Sequence, residues 1–273
     1  MITAMPRIAI AVNDFSETVA TFRDKLGMPV VDLSESSFKS LGANLAMCIP
    51  EGGSNIELMS PADPASPLSQ SLQKFLDRRG EGLFALMLEA ADPDAEADEI
   101  SARGLDVLPL MAGAGGRDIH PRSTHGVLIR VYPNGSVQGL SADTPEGPGL
   151  SGIARVIVAV RDAAEAAAVY GNGFAMEVSP ASLDEDRGVQ QAICTPPAGG
   201  RIEFVSVADR DRPFAGRIAS FLEERSEGMY ALVLGAEDPS AAADHLDARG
   251  MNVARSDVLE TSVSGARILL ESC

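Results

Sequence analysis

Aromatic side chains are scarce in this chain of 273 residues: 9 Phe, 3 Tyr and no Trp. That leaves no stacking platform for single-stranded nucleic acid. Positive charge is also short, with 22 Lys and Arg against 39 Asp and Glu and a formal net charge of −17. A field of that sign repels nucleic acid and anionic membrane surfaces, so neither is an expected partner, and a small anionic ligand needs a locally basic pocket. No apolar run reaches membrane-spanning length, and the first residues carry no basic start followed by an apolar core. The three cysteines (Cys48, Cys194, Cys273) are too few for a disulfide framework and read as thiols of a reducing cytoplasm. Histidine is equally sparse, at three residues.

What the chain has is a repeat. The alternating run Arg7-Ile8-Ala9-Ile10-Ala11-Val12 returns as Arg155-Val156-Ile157-Val158-Ala159-Val160. Cys48 and Cys194, Ile56-Glu57 and Ile202-Glu203, Phe75-Leu76 and Phe221-Leu222, and Glu81-Gly82 and Glu227-Gly228 then keep one offset of 146. Self-similarity at a fixed offset marks a duplicated unit. The length suits two cores, and 45% apolar residues suit a globular protein. We read domains at residues 1–138 and 153–273, joined by a Pro- and Gly-rich linker at 139–152.

Within the first copy, residues 6–12 alternate as a strand. Asp14 caps a helix whose Phe15, Val19, Phe22 and Leu26 recur at helical spacing, and Gly27 ends it. Strands are expected at 29–33, 41–49 and 55–60, which makes a β-α-β-β-β unit. A second such unit has strands at 82–89, 106–110 and 126–132 and a helix from Asp92-Pro93 to Gly104. Before its last strand lies Ala-Gly-Ala-Gly-Gly-Arg-Asp-Ile-His-Pro-Arg-Ser-Thr-His, at 112–125. The second copy is seven residues shorter there, so the halves are not equivalent.

The paired β-α-β-β-β units, the Gly-Leu-Phe-Ala-Leu-Met-Leu strand after Phe-Leu-Asp-Arg-Arg-Gly-Glu, and the ending His-Pro-Arg-Ser-Thr-His-Gly-Val-Leu-Ile-Arg-Val together resemble the vicinal oxygen chelate superfamily, the glyoxalase, bleomycin-resistance and extradiol-dioxygenase group. The wording is most similar to that of methylmalonyl-CoA epimerase-like proteins. The resemblance implies an α+β fold: two tandem domains, each of two paired β-α-β-β-β units forming a cupped mixed sheet. It also implies a divalent metal held by inward-facing strand residues, usually three His or Gln and a Glu. Those positions fall here on Arg7, Glu57, Ala85 and Arg130, and in the second half on Arg155, Glu203, Ala231 and Leu269. Guanidinium has no free lone pair, and Ala and Leu have no donor, so we expect no metal and no other cofactor. The epimerase's extra carboxylate falls near Leu45 and is missing.

Two arginines can supply the cationic corner instead. We expect Arg7 and Arg130 to face Glu57 and to stabilise negative charge on a ligand, with Glu57 or His120 moving a proton. Arg122, Tyr132, Met59 and Met87 are the expected ligand contacts. The same pattern also describes an ion network that only fills the old metal site, and it describes His120 as a turn residue beside Pro121. Two functions therefore stand at this point. One is a metal-independent isomerase or lyase acting on a small carboxylate or acyl thioester; the other is a non-catalytic binding protein of the bleomycin-resistance type. A cytoplasmic monomer or homodimer is expected in either case.

Overall fold

The computed structural model describes residues 1–35, 41–111 and 115–273. Its first sheet contains β1 (Ile2–Ala11), β2 (Val30–Asp32), β3 (Ala43–Cys48), β4 (Asn55–Pro61), β5 (Gly82–Ala90), β6 (Arg117–Ile119) and β7 (Leu128–Pro133). Three helices accompany it: α1 (Phe15–Ala20), α2 (Pro67–Arg79) and α3 (Pro93–Ala102). The order across the sheet is β2-β3-β4-β1-β5-β7-β6, with β1 parallel to β4 and antiparallel to β5.

The second sheet repeats this plan. It comprises β8 (Ile153–Ala159), β9 (Glu177–Val178), β10 (Ser182–Asp184), β11 (Val189–Thr195), β12 (Arg201–Val207), β13 (Gly228–Ala236), β14 (Ala254–Arg255), β15 (Leu259–Val263) and β16 (Ala266–Ser272). Its helices are α4 (Ala163–Phe174), α5 (Pro213–Arg225) and α6 (Pro239–Ala248). Register confirms the duplication at the level of residue pairs. Ala9 opposes Glu57 across β1 and β4, and Ile157 opposes Glu203 across β8 and β12. The fold is the α+β tandem of mixed sheets that the resemblance implied.

Three expectations change in detail. Residues 106–110 form no strand; Val107 makes a single bridge to Ile119. The strand beside β7 is β6, inside the stretch 112–125, where no strand was expected. The first helix widens after Ala20 into a π-helical turn, Thr21–Lys25, before Gly27 turns with positive φ. Gly113, in the glycine-rich stretch at 112–125, lies outside the described residues.

Period two sorts the strands into two faces. Ile8, Ile10 and Val12 point with Ile56, Leu58 and Leu86 into a core that also holds Ile153, Val156, Tyr170, Phe174, Phe204 and Leu232 from the second half. One core therefore runs through both halves. Asp92, Asp162 and Asp238 cap the helices that pack there, each accepting two backbone N–H bonds. The opposite face of each sheet holds a separate apolar cluster. In the first sheet Ala9, Ala11, Leu45, Met59, Ala85 and Met87 meet Leu68, Leu72 and Leu76 of α2. In the second, Ile157, Ala159, Val205 and Val233 meet Phe214 and Ile218 of α5.

The halves approach so closely that side chains are excluded. Gly126 has φ +80, and a Cβ there would lie 2.0 Å from the Glu227 carbonyl oxygen. At the equivalent place Gly265 has φ +71, and a Cβ would lie 2.2 Å from the Glu81 carbonyl. Only glycine fits both the backbone and the space. His125 is part-buried at this junction, with Nδ1 3.0 Å from Glu227 Oε2. His245, on α6, has a buried Nε2.

Cys48 and Cys194 are fully buried at matching places, and Cys273 is exposed. Burial pushes the Cys48 thiol well up and the Cys194 thiol up to about 12. Since the thiolate is the nucleophile, alkylation of the native protein at pH 8 should label Cys273 alone, and alkylation after unfolding should label all three. Intact mass reads the count. Native labelling of Cys48 or Cys194 would show that the shared core opens far more readily than its packing implies.

Candidate functional site

The site residues expected from sequence lie on the face of the first sheet that carries α2. Arg7 (β1), Glu57 (β4), Arg130 (β7) and Glu89 (β5) are all buried, at 4, 7, 5 and 7% exposure. Buried charges must be paired, and the pairing here differs from the expected triangle. Arg7 Nε donates to Glu57 Oε2 at 3.0 Å, and its Nη1 donates to Ser136 Oγ at 2.6 Å. Ser136 in turn donates from both its backbone N and its Oγ to Glu89 Oε1, at 2.7 and 2.6 Å.

Arg130 does not face Glu57. It forms a two-pronged pair with Asp118 of β6, through Nε to Oδ1 and through Nη2 to Oδ2 at 2.6 Å. This corrects the reading in which both arginines share one carboxylate. Asp118 opposes Arg130 directly across β6 and β7, so strand register fixes the pair. Burial opposes the charge on both guanidinium groups, but Glu57 beside Arg7 and Asp118 beside Arg130 more than offset it and raise both above the ordinary arginine value.

Tyr132 sits between the two pairs. The Arg7 guanidinium lies 4.5 Å from its ring centre and that of Arg130 lies 6.0 Å away. Met59 and Met87 are almost fully buried in the apolar cluster under α2. Two guanidinium groups against three carboxylates (Glu57, Glu89, Asp118) leave this floor formally one charge negative. The arginines are therefore not spare cations awaiting an anion.

The second half shows what is special about the first. Glu203, the counterpart of Glu57, has both oxygens taken: Oε2 by Arg155 Nε at 2.6 Å and Oε1 by Arg187 Nη2 at 2.5 Å. Arg155 also pairs with Glu271, and Arg187 with Asp184 at 2.7 Å. The residue 146 positions before Arg187 is Leu41. Glu57 Oε1 accordingly has no partner among the described residues. One carboxylate oxygen is fixed and the other is free, in the first half alone.

His120 and Arg122 do not join this group. His120 Nδ1 accepts from Arg122 N at 3.1 Å and so caps a 3-10 turn, Pro121–Ser123. Its ring borders a cavity between the two halves that Glu57 does not line. Arg122 is largely exposed and donates from Nε to Asp106 Oδ2 at 2.6 Å. Sequence reasoning missed Asp118, Ser136 and Glu89's link to Arg7. Only the parity of Glu89 was readable.

As for a metal, no group of three or more His, Cys, Asp or Glu is placed to hold one among the described residues. At the positions where the resemblance implies metal ligands, Arg7 and Arg130 direct N–H donors where a metal needs lone pairs. The residues do not fit a divalent ion. No helix of the described chain is long and apolar enough to cross a membrane.

Comparison with known proteins accords with the fold. Residues 7–120 match the family model of the Glyoxalase/Bleomycin resistance protein/Dioxygenase superfamily. A mutant of 4-hydroxymandelate synthase from Streptomyces coelicolor superposes with a TM-score of 0.68 at 14% identity, covering 98% of this chain and 92% of that one. A xylose isomerase-like TIM barrel/4-hydroxyphenylpyruvate dioxygenase fusion protein gives 0.62 at 15% identity, over 99% of this chain and 49% of that one. Streptomyces coelicolor methylmalonyl-CoA epimerase aligns at 27% identity over 50% of this chain and all of its own, with a TM-score of 0.42. A search of curated proteins finds no significant match.

Proposed function

We propose, from this chain's membership of the glyoxalase, bleomycin-resistance and dioxygenase superfamily, that it works without the superfamily's divalent metal, as an isomerase- or lyase-type enzyme that moves a proton on a small carboxylate or acyl thioester in the first cup. The observation that carries this is the half-free Glu57. Its Oε2 is held by Arg7 while Oε1 is open, and the second half closes the same oxygen with Arg187. A carboxylate fixed through one oxygen is the arrangement a general base needs. Oε1 takes a proton from the carbon next to the substrate carbonyl, and negative charge develops on the carbonyl oxygen. Arg7 Nη2, which has no partner among the described residues, is the donor available to that oxygen. Arg130 contributes by position, since its fork is committed to Asp118. His120, turned to another cavity, has no part in this step.

A non-catalytic small-molecule binder of the bleomycin-resistance type is the second reading. It is favoured by the pairing of both arginines with internal carboxylates. Deuterated water separates the two. With a panel of short acyl thioesters and 2-substituted carboxylates, wild-type protein should exchange the α-hydrogen, and Glu57→Gln should lower that rate by about 100-fold or more, the usual worth of a positioned base. Tight binding with no exchange, unchanged in Glu57→Gln, would leave the binder standing.

A further inference from the structure

A cavity of about 910 Å³ opens between the two halves, away from Glu57. Its walls are α2 and α5, brought together where the glycine contacts let the backbones approach. Their last turns hold each other: Arg79 Nη1 donates to the Arg225 carbonyl and Arg225 Nη1 to the Arg79 carbonyl, both at 3.0 Å. Each guanidinium thereby serves the carbonyl end of the opposite helix and meets no carboxylate among the described residues.

The charge of this cavity runs against that of the chain. Lys74 and Arg78 line it, are exposed, and have no acidic partner among the described residues. Arg217 and Arg267 also line it, but Asp257 and Glu260 balance them. Among the described residues, the cations without a carboxylate are thus Lys74, Arg78, Arg79 and Arg225, and Glu224 is the single acid on the wall. The formal surplus is three positive charges, in a chain whose net charge is −17. The repeat shows that this belongs to one side: the positions matching Lys74 and Arg78 in the second half are Ser220 and Glu224.

The same cavity gathers aromatic rings in a chain that has few. Phe75 packs edge-on to Phe84 with ring centres 5.2 Å apart, and Phe221 packs edge-on to Tyr230 at 5.4 Å, one pair on each wall. A volume at the upper end of ordinary ligand sites, flanked by aromatic pairs and edged with unpaired cations, suits a flat ring joined to a dense negative charge. Phosphate matches the guanidinium fork. A terminal phosphate carries about −1.5 to −2 at neutral pH, and one bridging phosphate adds one more, which answers the surplus of three.

We infer that this interdomain cavity is a second ligand site, separate from the first cup, that takes a phosphorylated aromatic molecule of the nucleoside diphosphate type, with the phosphates at Lys74 and Arg78 and the ring between the two aromatic pairs. The test uses the full chain with ADP, adenosine and inorganic pyrophosphate, followed by calorimetry at low and moderate salt. ADP should bind more tightly than either fragment, and salt should weaken it. The double variant Lys74→Ala with Arg78→Ala should weaken ADP by about tenfold or more, and Glu224→Gln should strengthen it. Both changes are at exposed residues, and an unchanged melting temperature confirms the fold. Glu57→Gln should leave ADP binding unaltered, which separates this site from the chemistry proposed for the cup. No measurable ADP binding, binding that the double variant leaves intact, or adenosine binding as well as ADP would each overturn the assignment.

Discussion

Arg130→Met should lower the stability of the protein by about 3–5 kcal/mol, the cost of leaving a buried carboxylate without its partner. Arg130 and Asp118 have side chains only 6% exposed, and both prongs of the guanidinium are engaged. Methionine fills much of the volume but returns neither the charge nor the donors. Asp118 would then be a buried carboxylate with no cation beside it. Chemical denaturation reads the loss directly. The double variant Arg130→Met with Asp118→Leu should recover most of the loss, because apolar pairs of similar volume replace buried ion pairs at little cost. A single variant as stable as wild type would mean that the pair is open to water.

Tyr170→Ala should cost about 3–5 kcal/mol, in the range of a large aromatic removed from a core. Tyr170 is fully buried, its ring centre 4.7 Å from that of Phe204 and 5.3 Å from that of Phe174. Its hydroxyl donates to the Thr124 carbonyl at 3.1 Å, so a helix of the second half holds a turn of the first. Tyr170→Phe keeps the packing and should lose about 1 kcal/mol, the net value of one such bond. The core shared by both sheets further requires one cooperative transition for the whole chain. Two separate transitions in wild type would contradict a continuous core.

The parts of the structure that were legible in the sequence are those written in alternation and repetition. The run from Arg7 to Val12 and its copy announce a strand with one apolar face, and parity alone sets Arg7, Glu57, Glu89 and Arg130 on the other. The cysteine pair and the Ile-Glu pair supplied the register between halves. Asp118 escaped because β6 is only three residues long and follows a glycine-rich stretch, so no period is completed there. Ser136 escaped because it lies in the turn after β7, where alternation has ended. The open oxygen of Glu57 depends on Leu41 standing where the second half has Arg187, a difference that has meaning only once β3 and β11 are paired. The basic cavity was hidden for another reason. Phe75 and Phe221 are visible as a repeat, but that their helices meet is set by contacts between glycines far away in sequence.

The central proposal is that guanidinium groups stand at the corner of the first cup where the resemblance to the superfamily implies a divalent ion. Elemental analysis of protein purified without chelator tests it most directly. Arginine at that corner predicts divalent metal well below one equivalent per chain and a melting curve that chelator leaves unmoved. About one zinc, iron, cobalt, nickel or manganese per chain, lost together with stability on chelation, would contradict it.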